Sequence, residues 1–599
     1  MAKAFKLKEM KDSLASQSLA LHASQEKLTM LVQNGVLLAS EGDSNKLLTH
    51  ILTEGKRICN AEAATMFLKT DANTLQFALR TREDDLPAFE LPLLDPATGL
   101  PNEKYVSVYA TLHNESVLIN DVYGETRFDL SGTRRFDMAS ASHTISMLTV
   151  PLASRGGEVL GVLQFMNALD PATGAVTEFS SDVVPVVEAL AAQSAVALET
   201  HRLLESQELM IDAMIKIIAG AIDAKSPYTG AHCARVPELA MMLAEEACRV
   251  KQGPLADFDF RSAEEWREFK IGAWLHDCGK LTTPEHVVDK ATKLETINNR
   301  IHEVRMRFEV LLRDAEIVRL ETILAGGDRA LAQADHARTV ATLHDDFAFL
   351  AQCNVGGETM APESVERVRQ LAQRTWLRHF DDRLGLSHEE LSRAAQVAVD
   401  SLPAREQLLA DKPQHIVPRL PSRALDPKYG FKMKVPEHLY NLGEIYNLCI
   451  GRGTLTEEDR FKVSEHIIQT IVMLEELPFP KNLQRVPEYA GTHHETLRGN
   501  GYPRKLGRDQ LSIPTRIMAI ADIFEALTAS DRPYKRAKTL SESIRILAAL
   551  KHNDHIDPDL FDLFLRSGLH LKYGALYLAP EQMDEVDINE FLDAPVREA

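Results

Sequence analysis

Cysteine is scarce and unpatterned: six residues in a chain of 599, at positions 59, 233, 248, 278, 353 and 449, with no CxxC pair among them. That excludes a disulfide framework and a thiolate zinc ribbon, and it predicts reduced thiols. Long apolar runs are also missing. No uninterrupted stretch reaches the roughly 18 residues of a membrane helix, and the opening MAKAFKLKEMKDSL has no apolar signal-peptide core. A cytoplasmic protein with no membrane partner is expected. Positive charge is in deficit, with 67 Lys and Arg against 87 Asp and Glu and a formal net charge of -20. Extended contact with a nucleic acid backbone is disfavoured, so DNA is not an expected partner, although a small anionic ligand can still be drawn to a local metal cluster. What is present, 45% apolar and 26% charged residues, is ordinary globular material for two or three domains.

Histidine is where the chain becomes informative. His493 and His494 are adjacent, followed by Glu495 and then by Gly501-Tyr502-Pro503. Two successive imidazoles point in different directions, so one metal rarely takes both, but two neighbouring metals can. Further ligand candidates sit on apolar-periodic segments: His232, His466, Asp522, and the pair His276-Asp277 that follows Ile271-Gly272-Ala273-Trp274-Leu275. Any one such histidine is more often a satisfied core residue than a ligand. Five segments each placing His or Asp on an inward face favour a shared di-metal centre, because unpaired buried polar groups are costly.

The runs Leu275-His276-Asp277-Cys278-Gly279-Lys280, His493-His494-Glu495, Gly501-Tyr502-Pro503, and Ala521-Asp522 through Asp531-Arg532-Pro533-Tyr534-Lys535 together resemble the HD-GYP domain over about residues 215–570. That resemblance implies an all-helical metal-dependent phosphohydrolase that cleaves the second messenger cyclic diguanylate to linear pGpG and on to GMP. It implies two divalent metals, iron or manganese ahead of zinc or nickel. Asp277 would bridge them; His232, His276 and Asp522 would complete one shell, and His466, His493 and His494 the other. Lys280 would contact a phosphate oxygen, Arg532 and Lys535 would make further phosphate or guanine contacts, and Tyr502 would lie beside the substrate. Three departures stand out: Tyr228 replaces the glutamate that some members use for a third metal, Arg498 precedes Gly499 where an acidic residue is usual, and the stretch to Asp531-Arg532 is one residue longer. The rival readings are a phosphohydrolase of another nucleotide and a receptor that binds nucleotide or protein without turnover.

The rest of the chain reads as sensor and connection. Residues 1–28 lie within an amphipathic helix, with Leu7, Leu14, Leu21 and Leu28 seven apart, suiting either a dimer seam or packing on its own domain. Over 29–200 short strands alternate with helices, among them Met147 to Leu152 and Val159 to Asn167 around Arg155-Gly156-Gly157. This stretch resembles a GAF domain, an α+β sensor fold, and Asn167, Phe179 and Asp182 are similar to a cyclic-nucleotide signature, with Ala168 where lysine is usual. The ligand stays open between a cyclic nucleotide and another small molecule. A linker helix over 181–224 carries Val183, Leu190, Ala197, Leu204, Ile211 and Ile218 seven apart, which predicts a homodimeric coiled coil or a passive spacer. The catalytic domain then spans 215–599, interrupted by a mostly helical insertion at about 295–452. The insertion combines a helical hairpin around Gly326-Gly327 with a proline-rich loop over 402–438, and covering the active site, docking a protein partner and a second dimer contact are all compatible with it. His302 lies near the spacing expected for the ligand after His276, but the residues around His466 match the family's helix better.

Overall fold

The computed structural model describes residues 29–38, 40–81, 89–140, 143–225, 232–421, 424–529 and 537–592. The expected amphipathic helix over 1–28, Tyr228, Arg532 and Lys535 lie outside them. The chain forms two compact units that divide after Ile211.

In the first unit, strands β1 (Ala61–Lys69), β2 (Thr74–Arg80), β3 (Glu90–Pro92), β4 (Val117–Ile119), β5 (Met147–Ala153) and β6 (Val159–Leu169) form an antiparallel sheet in the order β3-β2-β1-β6-β5-β4, and β7 (Val176–Thr177) also pairs with β6. Successive side chains point to opposite faces, and both faces are covered. Met66, Leu163 and Phe165 pack with Leu47, Ile51 and Leu52 of the Ser44–Cys59 helix and with Val187, Leu190 and Ala195 of the Val184–Lys225 helix. Phe67 and Val162 face the other way, towards Val106, Val108 and Ile119. On that second side lies a cavity of about 680 Å³, whose lining includes Phe67, Phe77, Phe89, Arg80 and Arg135.

Asn167, Phe179 and Asp182 do not line this cavity. Asn167 adopts φ 58°, and its Oδ1 accepts from the Ile145 amide at 2.7 Å while its Nδ2 donates to His143 O at 2.9 Å. It therefore ties a loop to the end of β6. The heptad positions of the long helix also divide. Val183 and Leu190 are buried in the sheet's own core, whereas Leu204 is exposed, so the early part of that stripe serves its own domain. By length and apolar content the Ser181–Lys225 segment is sufficient to cross a membrane, with 39% of its most apolar window buried.

The second unit is built on helices His232–Arg249, Ala263–Leu275, Glu457–Glu475, Ile513–Thr528, Leu540–His552 and Pro558–Arg566. Val236, Leu239, Leu243, Phe269, Ile517, Phe524, Ile544 and Phe561 form the core. The hairpin of the insertion is present as Ile301–Leu324 and Arg329–Val355, rooted by Val304, Phe308, Leu343 and Leu350. Two short antiparallel ribbons depart from the mostly helical expectation: Thr375–Arg378 with Ala404–Gln407, and Ile416–Pro418 with His438–Asn441. Pairing satisfies backbone groups that a bare proline-rich loop packed on a helix would leave unmet. Between the strands of the second ribbon, Leu425, Phe431, Met433 and Val435 pack against Phe461, Ile467 and Ile468 of the Glu457–Glu475 helix.

Candidate metal centre

Each candidate ligand is presented by a helix or a helix end. Ser262 caps the Ala263–Leu275 helix by accepting the Glu265 amide, and the helix runs into His276 and Asp277 at its carboxyl end. Thr456 and Asp459 form a capping box that starts the Glu457–Glu475 helix, which carries His466. His493 and His494 follow the short Val486–Ala490 helix, Asp522 lies within Ile513–Thr528, and His232 begins His232–Arg249.

These seven side chains converge. Asp277 Oδ2 lies 3.3 Å from Nε2 of both His232 and His276, while its Oδ1 lies 3.3 Å from His466 Nε2. Asp522 Oδ1 is 3.3 Å from His232 Nε2 and 3.8 Å from His276 Nε2. His466 and His494 face each other, Nε2 to Nε2, at 3.2 Å. His232, His276 and Asp277 form one group able to hold a metal ion, and His466, His493 and His494 a second. Metal–ligand bonds of about 2.0–2.2 Å put neighbouring donor atoms roughly 3.3 Å apart, so the spacing suits a shared cation.

Orphaned atoms test the fit. Among the described residues, Nε2 of His276 and Nε2 of His493 are buried without a hydrogen-bond partner. Their Nδ1 atoms are engaged, with Ala273 O at 2.8 Å and Ala490 O at 3.0 Å, and His466 Nδ1 meets Val463 O at 2.6 Å. A neutral imidazole that donates from Nδ1 keeps its Nε2 lone pair free. Burial, with His276 and His466 and against Asp522 and Asp277, holds His493 down at about 3, and burial, His493 and His466 hold His494 well below the usual imidazole range, so both imidazoles are neutral at physiological pH. Burial works against charge on Asp277, but Lys280 and the imidazoles outweigh it and keep the carboxyl well below its ordinary value. Burial disfavours charge on His232, but Asp277, Asp522 and Glu525 overcome it and raise the imidazole well above its usual value. The residues fit a divalent metal centre.

Lys280 donates to Asp277 Oδ2, and its side chain is 26% exposed. Tyr502 stacks on His494, ring centroids 4.7 Å apart at 21°. Two glycines make these placements possible. A Cβ on Gly279 would lie 1.9 Å from His466 O, and one on Gly501 would lie 2.6 Å from His494 O. Gly501 is thus required by close approach. His302 is exposed and pairs with Arg305 on the insertion hairpin.

Three supporting residues escaped the sequence reading. Thr470 Oγ1 accepts the Gly279 amide at 2.9 Å and lies 3.2 Å from His276 O, pinning the His276-Asp277 turn to the helix that carries His466. Glu525 receives His232 Nδ1, and Arg235 holds Glu525. The available signal was spacing: Glu525 stands one helical turn after Asp522, and Arg235 three residues after His232.

Two family models match the chain: a GAF domain over residues 43–198 and an HD domain over residues 403–560. The chain is similar to 3'3'-cGAMP-specific phosphodiesterase 1 of Vibrio cholerae, 29% identical over 199 residues, 31% of this chain and 44% of that protein. It is 40% identical over 150 residues to 3'3'-cGAMP-specific phosphodiesterase 3 of the same organism, 24% of this chain and 31% of that protein. A cyclic di-GMP phosphodiesterase of Pseudomonas aeruginosa is 40% identical over 84 residues, 14% of this chain and 20% of that protein. The chain thus spans less than half the length of each of these relatives. Residues 43–198 thus match a GAF domain and residues 403–560 an HD domain, and the antiparallel sheet of the first unit and the clustered His and Asp side chains of the second agree with those two matches.

Proposed function

We propose that this protein is a metal-dependent phosphodiesterase that hydrolyses cyclic di-GMP to linear pGpG and then to GMP, under the control of its GAF domain. The observation that carries this reading is the carboxylate of Asp277, with imidazoles of His232 and His276 facing one oxygen and His466 facing the other. Two divalent cations bound there would neutralise the anionic oxygens of a phosphodiester and lower the pKa of water. Iron or manganese is our preference and zinc or nickel the alternative, since a set of this composition admits all four.

The chain's own residues supply the remainder. Asp277 would be shared by both cations, with His232, His276 and Asp522 holding one and His466, His493 and His494 the other. Lys280, anchored on Asp277, offers its ammonium to a phosphate oxygen. Tyr502, held against His494, presents a ring on which a base can stack. Arg532 and Lys535 are assigned the further phosphate or guanine contacts on their motif alone.

We assign the regulatory ligand to the 680 Å³ GAF cavity, whose aromatic wall and two arginines suit a small planar anion. A cyclic nucleotide fits that description. A homodimer through the long helix is supported by the exposure of Leu203, Leu204, Leu209 and Met210. The far half of the insertion hairpin exposes Ile317, Val318 and Leu324, which suits a protein partner. Free thiols and the early part of the long helix lying in the GAF core support a cytoplasmic location.

The relatives' names favour a second substrate, 3'3'-cGAMP. The test is turnover of cyclic di-GMP and of 3'3'-cGAMP, assayed separately with anaerobically purified protein, with metal content measured on the same sample and Asp277→Ala as control. Hydrolysis of cyclic di-GMP that disappears in the variant supports the proposal. Preference for 3'3'-cGAMP moves the substrate, and bound metal with turnover of neither leaves the receptor reading.

A further inference from the structure

Four of the site's five imidazoles are held through Nδ1, and they are not supported alike. His276, His466 and His493 each engage through Nδ1 the carbonyl three residues upstream, a neutral acceptor. His232 Nδ1 meets a carboxylate, Oε2 of Glu525. Glu525 is 1% exposed, and its other oxygen accepts from Arg235, Nε at 2.7 Å and Nη2 at 2.6 Å. The carboxylate is therefore fixed at both ends. Because it can only accept, a proton sits on His232 Nδ1, and Nε2, which faces Asp277 and Asp522, is the nitrogen left to give its lone pair to a cation bound there. A carboxylate behind an imidazole makes it a more basic ligand than a carbonyl does.

We propose that Glu525 is a positioning residue that makes the two cation positions unequal, so that the one between His232, Asp277 and Asp522 binds more tightly than the one among His466, His493 and His494. This rests on the metal-centre reading above. Two carboxylates face the first position and a third backs His232, one of its two histidines, whereas the second has three imidazoles and a single oxygen of Asp277. Arg235 and Glu525 act only through His232 and touch no reacting atom.

The experiment is a chelator-competition titration with Mn²⁺ on the full chain, reading stoichiometry and both dissociation constants for wild type, Glu525→Gln and Arg235→Met. The amide of Glu525→Gln can still accept from Nδ1, so it removes the charge and spares the shape. Wild type should bind two ions with unequal affinity. Glu525→Gln should weaken the tighter site by about 10–100-fold and leave the weaker one as it was, which also shows that the variant is folded. Arg235→Met, which keeps the carboxylate on His232, should hold the tighter site within about threefold of wild type, below the roughly 10–100-fold expected when the group that supports a ligand is itself lost. Two unequal sites unchanged in Glu525→Gln, both sites weakened together, or an equal loss in Arg235→Met would overturn the inference. Wild type that binds no metal would instead overturn the reading on which it rests.

Discussion

Oδ1 of Asp277 lies 3.3 Å from Nε2 of His466, although the two residues stand on opposite sides of a long insertion in the chain. The contact joins two ligand groups through one carboxylate. Its removal should disable both, so Asp277→Asn is expected to lose metal and to lower activity by about a thousandfold or more, the scale of several kcal/mol of transition-state stabilisation. Metal analysis and single-turnover kinetics on the same preparation check this, with circular dichroism to show that the helices persist.

Gly279 sets the distance between the turn that bears Asp277 and the helix that bears His466. In Gly279→Ala the new Cβ meets backbone, 1.9 Å from His466 O and 2.6 Å from the Thr470 amide, and neither can yield by a side-chain rotation. Destabilisation of about 1–3 kcal/mol and loss of bound metal are expected. Gly507→Ala is the control, since its Cβ would come no nearer than 3.8 Å to Leu497 O. Urea denaturation of both variants separates the two outcomes.

Arg504 ties the insertion to the Gly501-Tyr502-Pro503 loop. Its Nε donates to Tyr429 O at 2.8 Å and its Nη2 to Glu475 at 2.7 Å, while the Lys432 amide donates to Pro503 O at 2.7 Å. Arg504→Ala should loosen the 425–435 strap and the ring of Tyr502 together. Faster proteolysis in the strap and a KM raised about three- to tenfold, on the order of 1 kcal/mol for a lost hydrogen bond, are the expected readouts; metal content should stay the same.

His415 makes the insertion acid-sensitive. Burial pushes its imidazole down to about 4 from 6.5, with Glu444 working in the other direction, and its Nδ1 accepts the Lys412 amide at 3.2 Å. The folded state keeps this group neutral while the unfolded chain takes up a proton below 6.5. The stability it contributes is therefore complete above that pH, lost as pH falls towards 4, and unchanged below. Denaturation midpoints between pH 7 and 4.5 should fall with a slope component of up to about 1.4 kcal/mol per pH unit, and His415→Gln should remove that component.

Much of this was legible in advance. The β5–β6 hairpin, the long helix and the insertion hairpin follow from local pattern: alternation for strands, apolar periodicity and caps for helices, glycines for the turn between. Local pattern did not reveal the two ribbons of the insertion, because each strand is only three or four residues long and is held by partners far along the chain. The heptad stripe was visible too, but not that Val183 and Leu190 would be taken up by the domain's own sheet.

At the site the division is sharper. Residue chemistry in ordered motifs determined which side chains are ligand candidates, because few groups other than His and Asp on inward faces suit a hard or borderline cation. Only the tertiary structure decided that the two oxygens of Asp277 face different imidazole groups, that Nε2 of His276 and His493 lack partners among the described residues, that Asn167 braces a loop away from the GAF cavity, and that Glu525 stands behind His232. The physical reason is range. Helix and strand propensities act over a few residues, whereas the direction of a lone pair and the company of a buried charge depend on helices brought together from distant parts of the chain by the burial of Phe269, Ile517 and Phe524.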